Sequence, residues 1–339
     1  MKVTWYINNF YLKSLDRIKH IFGRHKYNYD RFTTSTWNRC LQLLPYLEEM
    51  NIKCSISNGE NLNTDIAILI RWQDQGAFNL VRRLRDNKVK TVFDLCVNYF
   101  DETGIFSGGY GVSSNQVEEV KRIAVAVNGI IAGSEYIKQQ AMKYNANSIY
   151  LPESIDYNQF NKIKDKNDYF RNSPRAIWSG KSVKSGEVAD LYYKLKDRNI
   201  PLTIISDNKP LMPGPFNYLP WSYYTFPENI LGGEFCISPR RTDNTYDLGH
   251  SHFKIGVFMA QGVPALAAPL PSYKEVIEKT GGGKICQSES DWGKTLDEIM
   301  ENPNMLWEWS RLAHDGMKGY STALIASQYK QFFENILSY

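Results

Sequence analysis

The chain has 339 residues, a length that exceeds one ordinary hydrophobic core and predicts two domains of about 150 residues each. Its formal net charge of +4 is too mild for a nucleic-acid-binding protein, and no basic tail dominates the sequence. The five cysteines are widely spaced, form no C-x-x-C pair and lie in apolar runs, which predicts reduced core thiols of a cytoplasmic protein.

Membrane-targeting and membrane-spanning signals are weak. The first ten residues, MKVTWYINNF, lack the apolar stretch of a signal peptide. The longest apolar run, residues 255–270, is interrupted by Gln261, Gly262 and Pro264. The sequence therefore predicts no membrane-spanning helix.

Strand and helix patterns alternate through the first half of the chain. Such alternation predicts a parallel, doubly wound sheet. In chain order the predicted elements are the strand KVTWYI, the helix STWNRCLQLLPYLEEMNI, the strand DIAILI, the helix GAFNLVRRLRD, the strand KTVFDLC, the helix NQVEEVKRIAVAV, the strand GIIAG, the helix SEYIKQQAMKY and the strand SIYLP.

A long insertion, INNFYLKSLDRIKHIFGRHKYNYDRF, separates the first strand from the first helix. Between Arg17 and Arg31 it mixes basic residues, Arg24 and Lys26 among them, with aromatic residues. This composition suits an anionic membrane surface or a glycan acceptor. An ordered loop with solvated charges is the alternative reading.

The second half begins after a polar, charged stretch that we interpret as a linker. The predicted boundaries are an N-terminal domain at residues 1–158, a linker at 159–174 and a C-terminal domain at 175–325, with a final helix at 326–339 that packs back on the first domain. The second domain repeats the alternation, with the strand RAIWSG, the helix GEVADLYYKLKDR, the strands PLTIIS and EFCISP, a helix after Ser251, the strand VPALAAP, a helix from Ser272 and the strand GKICQ.

Ligands of parallel α/β sheets bind beyond the carboxyl ends of the strands, so residues at strand ends are the candidates. In the first half these mix amides with carboxylates and predict a site for a neutral, hydroxyl-bearing acceptor: Asn9, Trp72, Asp94, Asn98, Asp101 and Ser134. In the second half they gather cations and hydroxyls and predict a site for an anionic ligand: Gly180, Lys181, Ser182, Lys184, Arg240, Arg241, His250, Ser251 and Lys254.

The helix after Ser251 carries the most specific local signal. Ser251 is a candidate N-cap, and Lys254 falls in the first turn, where the helix dipole disfavours a cation. A bound anion would reverse that preference, and His250 lies four residues before Lys254, on the same face. The alternative is a solvated lysine on an exposed helix edge.

The next helix offers a second candidate pair. Ser272 and Glu275 match a Ser-x-x-Glu capping box, which we favour as the role of Glu275. Their neighbour Tyr273 lies on the same helix, and Tyr273 and Glu275 are also candidates for the ligand site of the second half.

Three stretches resemble the GT-B glycosyltransferases of the retaining, family 4-like group: VNGIIAGSEYIKQQAMKYNANSIYLPESIDYNQF, SGKSVKSG and SHFKIGVFMAQGVPALAAPLPSYKEVI. The resemblance implies an α/β fold of two Rossmann-like, doubly wound domains facing across a cleft. It implies that Lys181 and Lys184 face the diphosphate of a nucleotide-sugar donor and that Lys254 lies at the donor helix. The sequence departs from the pattern where relatives carry a glutamate pair, because Gly249 and Val257 stand there instead. Asp247 or Glu275 is the candidate replacement for a carboxylate that binds the ribose.

The function that this resemblance implies is transfer of a sugar from a nucleotide-diphosphate sugar to a glycan or lipid-linked acceptor, in bacterial-type surface polysaccharide synthesis. We expect neither a cofactor nor a metal, because cations and helix N–H groups can stabilise the leaving phosphates. An inverting reaction would need a base, for which Asp94 and Asp101 are the candidates. A sugar-nucleotide epimerase and a non-catalytic partner subunit are the alternatives. The expected location is cytoplasmic, with peripheral contact to an anionic membrane and without nucleic acid as a partner.

Overall fold

The computed structural model describes residues 1–8, 34–106, 110–170 and 173–338. Asn9 and the basic, aromatic insertion fall outside the described residues. None of the helices in the described part of the chain combines the length and apolar character needed to cross a membrane.

The first half forms a six-stranded parallel sheet of order β2-β1-β3-β4-β7-β8. Its strands, with a short hairpin of β5 and β6, are β1 Lys2–Ile7, β2 Lys53–Ser57, β3 Ile66–Ile70, β4 Lys90–Leu95, β5 Gly104–Phe106, β6 Tyr110–Val112, β7 Gly129–Ala132 and β8 Ser148–Tyr150. Five of the six strands of this sheet were predicted from the sequence. The sixth, β2, has no counterpart among them because it is a half-exposed edge strand without a clear apolar run.

Helices cover both faces of this sheet. Their bounds are α1 Leu44–Glu49, α2 Gln75–Asp86, α3 Ser114–Ala126 and α4 Glu135–Ala141. The first predicted helix is divided, because a helical turn at Thr34–Thr36 and a π-helical segment at Trp37–Leu41 precede α1. The other three begin after side-chain N-caps, Asp74, Ser113 and Ser134, each of which accepts a hydrogen bond from a backbone N–H of its helix.

The second half repeats the architecture with a parallel sheet of order β11-β10-β9-β12-β13-β14. Its strands are β9 Ala176–Ser179, β10 Leu202–Ser206, β11 Asn217–Pro220, β12 Phe235–Ser238, β13 Ala265–Ala267 and β14 Gly283–Ile285. The strand order reverses between β9 and β12. A ligand crevice is expected at such a switch point.

Eight helices in the described residues accompany the second sheet or follow it. They are α5 Gly186–Asp197, α6 Phe226–Ile230, α7 Thr245–Leu248, α8 Phe253–Ala260, α9 Pro271–Thr280, α10 Glu289–Glu301, α11 Asn304–Met317 and α12 Thr322–Ser338. The last helix returns to the first domain, where the Phe333 ring packs edge-on against Trp5 with ring centroids 6.3 Å apart.

The linker is anchored more firmly than its polar composition suggests. Phe160 and Tyr169 are buried, and the Lys164 ammonium forms an ion pair of 3.1 Å with Glu234 in which both side chains are inaccessible to solvent. Arg175 binds the same carboxylate, with Nη2 2.8 Å from Oε1. Charged residues in this stretch therefore pack inside the second domain rather than only into solvent.

The carboxyl ends of the two parallel sheets face each other across a cleft. The turn before α8 reaches the first domain, where the Ser134 hydroxyl donates to the Gly249 carbonyl over 3.0 Å. The predicted fold class, two doubly wound parallel sheets facing across a cleft, is confirmed.

Candidate functional site: a cation cluster at the sheet edge

Four basic side chains meet at the switch point of the second sheet. Lys184 ends a short 3-10 turn after β9, Arg240 follows β12, and His250 and Lys254 flank the start of α8. Because β9 and β12 are neighbours, their following loops converge with the α8 turn. We call these four residues the cation cluster.

Lys254 lacks a conventional partner for its charge. Its Nζ lies 4.6 Å from the centroid of the Trp178 ring, and no hydrogen-bond acceptor or carboxylate pairs with it within the described part of the chain. Burial and the Arg240 and Lys184 charges hold the pKa of Lys254 well below its usual range, and the Glu187 carboxylate opposes this shift only in part. An anion bound in the cluster would offset this penalty.

The Arg240 guanidinium, unlike the Lys254 ammonium, lies next to two carboxylates. Its side chain is 8% exposed, and Nη1 lies 3.5 Å from Glu187 Oε1 and 3.5 Å from Asp247 Oδ1. Asp247 is itself fixed by Asn244, whose Nδ2 donates to Oδ2 over 2.9 Å. These contacts give the guanidinium a defined position at the back of the cluster.

Lys184 lies beside Tyr246, with Nζ 5.9 Å from the centroid of the tyrosine ring. Burial and the Arg240 charge lower the pKa of Lys184 to about 8. His250 stacks edge-on against the same Tyr246 ring, with centroids 5.1 Å apart. Burial and the neighbouring cations hold the pKa of His250 well below its usual range, so this histidine is neutral at pH 7.

The affinity of the cluster for an anion should depend on pH because of Lys184. An anion bound in the cluster would raise its pKa above the free value of about 8, so the protein should take up protons on binding above pH 8. We expect affinity for a nucleoside diphosphate to fall as pH rises through this window. Calorimetric titration at pH 8.5 in two buffers of different ionisation enthalpy measures the uptake, which Lys184→Met should reduce. Equal apparent heats in both buffers would contradict the assignment.

Two of the predicted phosphate contacts are exposed side chains that pair with nearby carboxylates. Lys181 is 60% exposed and pairs with Asp207 over 3.4 Å. Arg241 is 50% exposed and forms a two-pronged pair with Asp243, with Nη2 2.6 Å from Oδ2. Their role as donor ligands stays a prediction, and these exposed ion pairs favour the more buried Lys184, Arg240 and Lys254 over them.

The glycine turn after β9 has a steric rather than a ligand-binding explanation in this structure. A side chain on Gly180 would bring its Cβ within 2.6 Å of the Trp178 indole. The Ser182 backbone N–H donates to Asp207 over 2.7 Å, which closes the turn. These two residues therefore shape the loop that carries Lys184.

The predicted caps of the two following helices are wrong in detail. His252 occupies the N-cap position of α8 without a side-chain cap, whereas the Ser251 hydroxyl accepts from the Phe253 backbone N–H over 3.3 Å and donates across the cleft to Glu153. Ser272 lies inside α9 and donates to the His250 carbonyl over 2.7 Å, so no Ser272–Glu275 capping box forms. Pro271 begins the helix and displaces the serine from the cap position.

Tyr273 and Glu275 occupy different environments. Tyr273 is fully buried behind the cluster, where Ser238 donates to its hydroxyl over 3.2 Å and its phenol contacts Arg240. It supports Arg240 rather than facing a ligand. Glu275 instead accepts the Tyr150 hydroxyl, 3.2 Å from both carboxylate oxygens, in a groove between the domains.

The two positions that depart from the glutamate pattern are explained by packing. A Cβ on Gly249 would lie 2.7 Å from the backbone nitrogen of Asn98, so the first domain leaves no room for a side chain. Val257 is 1% exposed in the core beneath α8. Neither position could place a carboxylate in the cleft without moving its surroundings.

The predicted acceptor-side residues form the domain contact or lie beside it. Asn98 and Ser134 are fully buried against Gly249, which corrects their prediction as groups open to an acceptor. Trp72 donates from Nε1 to Asp74, the cap of α2, over 2.9 Å and stays partly buried. Asp101 is also partly accessible and accepts from Asn98 over 2.8 Å.

Asp94 is not a candidate base in this structure. Its side chain is inaccessible to solvent and forms an ion pair with the buried Arg39. The Tyr329 hydroxyl of α12 donates to its second oxygen over 3.1 Å. The position at a strand end predicted access to the cleft, but the returning C-terminal helix covers it.

Glu187 and Trp178 belong to the site but have no counterpart among the predicted site residues. Glu187 lies in the first turn of α5, where an acidic residue has an ordinary explanation in the helix dipole. Trp178 lies inside a fully buried strand and resembles a core residue. Within the described ranges, no group of three or more His, Cys, Asp or Glu side chains is arranged to hold a metal ion.

Comparison with known proteins gives a match in structure but none in sequence. No protein-family profile and no curated protein sequence matches the chain. Among solved structures it is similar to HepE from Anabaena in complex with UDP, at 10% identity and a TM-score of 0.69, over 99% of this chain and 100% of that one.

Two further structures share the arrangement. A glycosyltransferase from Rickettsia africae matches at 10% identity and a TM-score of 0.67, over 99% of this chain and 98% of that one. TarM of S. aureus matches at 13% identity and a TM-score of 0.60; the match covers 86% of this chain but only 58% of the length of TarM. At such identities the likeness concerns the fold, and the chain has the GT-B fold of two facing Rossmann-like domains.

Proposed function

We propose that the protein is a glycosyltransferase that binds a nucleotide-diphosphate sugar in the cation cluster and transfers the sugar to a glycan or lipid-linked acceptor. The observation that carries the proposal is the Lys254 ammonium, which lies with Arg240 and Lys184 at the sheet switch point without a carboxylate of its own. A diphosphate supplies the missing negative charge. The UDP complex of the structurally similar HepE supports a nucleotide ligand for this fold.

The chemistry of the transfer places charge on the leaving diphosphate. Lys254, Lys184 and Arg240 would stabilise that charge as the bond to the sugar breaks, since fixed cations need no reorganisation. Asp101 is the remaining candidate base for an inverting reaction, because its carboxylate is partly accessible. It accepts a hydrogen bond from Asn98, and Asn98 in turn packs against Gly249. A retaining reaction would not require it.

The test is incubation with a panel of nucleotide sugars, with and without glycan acceptors. We expect nucleotide release that increases when the correct acceptor is added. Release of free nucleotide and an epimerised sugar without acceptor would instead support an epimerase. Absence of both nucleotide binding and release would support a non-catalytic subunit and contradict the proposal.

Metal independence is a separate prediction. The cluster supplies cations where other sites use Mg²⁺ or Mn²⁺, and the sequence has no Asp-x-Asp motif. We expect turnover to be unchanged by EDTA. Loss of activity on chelation, restored by Mg²⁺ or Mn²⁺, would show that the cluster does not suffice.

Surface polysaccharide synthesis at the inner face of the cell membrane is the proposed context. The basic, aromatic insertion motivates a peripheral membrane contact, although it lies outside the described residues. Replacing Arg24 and Lys26 with Glu should reduce sedimentation with vesicles rich in anionic lipid at low salt. If the parent protein does not sediment with these vesicles, the membrane contact is excluded.

A further inference from the structure

A groove of about 570 Å³ opens between α4 of the first domain and α9 of the second. We call it the α4–α9 groove. One wall carries Tyr136 and Gln139 of α4, and the other carries Lys274 and Glu278 of α9. Both helices begin at the carboxyl ends of their sheets, so the groove belongs to the cleft between the domains.

The groove begins beside the cation cluster. Ser272, part of its lining, donates to the carbonyl of His250 over 2.7 Å. On the opposite wall, burial and the nearby Asp101 carboxylate raise the pKa of Tyr136. The groove therefore adjoins the turn that carries His250 on one wall and lies near Asp101 on the other.

The lining differs in charge from the cluster. Three carboxylates, those of Glu135, Glu275 and Glu278, face one ammonium, that of Lys274. The Glu135 carboxylate is shared with Lys138, 3.2 Å away, but Lys138 does not line the groove. A phosphate or carboxylate entering here would meet net negative charge.

The same lining suits the hydroxyl groups and the apolar face of a sugar. Carboxylates accept hydrogen bonds from hydroxyls, and the Gln139 amide can donate and accept. Tyr150 and Tyr136 add aromatic surface, and Tyr150 is held in place by its two contacts of 3.2 Å with Glu275. This combination of a cavity, tyrosines and acceptor groups is typical of a small polar-ligand site.

We infer that the α4–α9 groove binds the acceptor, and that the acceptor part it holds is a saccharide without negative charge. The inference rests on the proposed function and narrows it. It assigns opposite charge preferences to the two substrates, with the anionic donor in the cation cluster and the uncharged acceptor in the acidic groove.

The experiment fills the groove from either wall. Gln139→Trp and Glu278→Trp place a large ring at exposed positions of α4 and α9, where the fold should tolerate it. Glu118→Trp, at a side chain 69% exposed on α3, is the matched control outside the groove. Thermal melts establish that each variant is folded, and calorimetry measures UDP binding to each.

Acceptor binding is then measured by saturation-transfer NMR with UDP present. The probes are the p-nitrophenyl β-D-glucoside, galactoside and N-acetylglucosaminide, together with the β-D-glucuronide, which differs from the glucoside by a carboxylate. We expect a neutral glycoside to bind the parent and the Glu118→Trp control, and to bind each groove variant at least about tenfold more weakly. We expect the glucuronide to bind more weakly than the glucoside.

The inference is overturned if no neutral glycoside binds, if binding survives both groove substitutions, or if the glucuronide binds better than the glucoside. UDP binding separates this failure from that of the proposed function. If UDP binds normally while the glycosides fail, only the groove assignment is lost. If UDP does not bind the parent, the donor site itself is wrong.

Discussion

Replacing Lys254 with methionine is expected to weaken nucleoside-diphosphate binding roughly ten- to hundredfold and to leave the protein at least as stable. Loss of one charge-assisted hydrogen bond to a phosphate corresponds to about 1.5–3 kcal/mol. Methionine keeps most of the apolar stem that packs near Trp178 and removes an ammonium whose charge is opposed by burial and by Arg240.

The expected stability of the Lys254→Met variant depends on the direction in which folding shifts the pKa of Lys254. The pKa of Lys254 is lowered on folding, so the unfolded chain binds its proton more tightly and the charge opposes folding at neutral pH. Removing the ammonium also removes its contact with the Trp178 ring, worth about 0.5–2 kcal/mol. These opposing changes predict an unchanged or slightly raised melting temperature.

Arg241→Ala is the matched control for Lys254→Met. Arg241 belongs to the same loop region as Arg240, but its guanidinium is half exposed and already bound to Asp243. We expect it to bind UDP and nucleotide sugars as the parent does. The two measurements are a thermal melt and a donor titration on the same sample. A destabilised Lys254→Met variant with undiminished affinity would show that Lys254 is structural.

The sequence was sufficient to predict the two sheets because most of their strands are buried runs flanked by amphipathic helices. β3, with the sequence IAILI, is buried at every position, and strong apolar runs of this kind leave little ambiguity. β2 and β11 were missed because they lie at sheet edges, are only partly buried and lack that pattern.

The site was predicted only in part, because its contacts join residues far apart in the chain. All four residues of the cation cluster were among the predicted candidates: His250 and Lys254 from local helix signals, and Lys184 and Arg240 from their positions after strands. No local pattern shows that Arg241 pairs with Asp243 while its neighbour Arg240 turns inward. The choice is made by packing of α5 and α7, which bring Glu187 and Asp247 to Arg240.

The Arg39–Asp94 ion pair illustrates the same limit and leads to the prediction with the largest effect on stability. Strand position suggested that Asp94 faces the cleft, but sequence cannot show that α12, more than 200 residues later, returns to cover it. Arg39 also donates to the Leu151 carbonyl and to Tyr329, each over 3.0 Å. Both charged side chains are almost completely removed from water.

Replacing Asp94 with alanine should therefore destabilise the N-terminal domain by about 3–5 kcal/mol, because Arg39 would remain buried without its carboxylate. The measurement is the urea midpoint, followed by intrinsic tryptophan fluorescence, to which the buried Trp5 of this domain contributes. Asp101→Ala is the control, since Asp101 is partly accessible and loses one hydrogen bond with Asn98.

The double variant Arg39→Met with Asp94→Leu removes both charges and should recover much of the lost stability, because uncompensated charge rather than lost packing causes the loss. Equal destabilisation by Asp94→Ala and Asp101→Ala, or a double variant less stable than Asp94→Ala, would show that Asp94 does not act through Arg39.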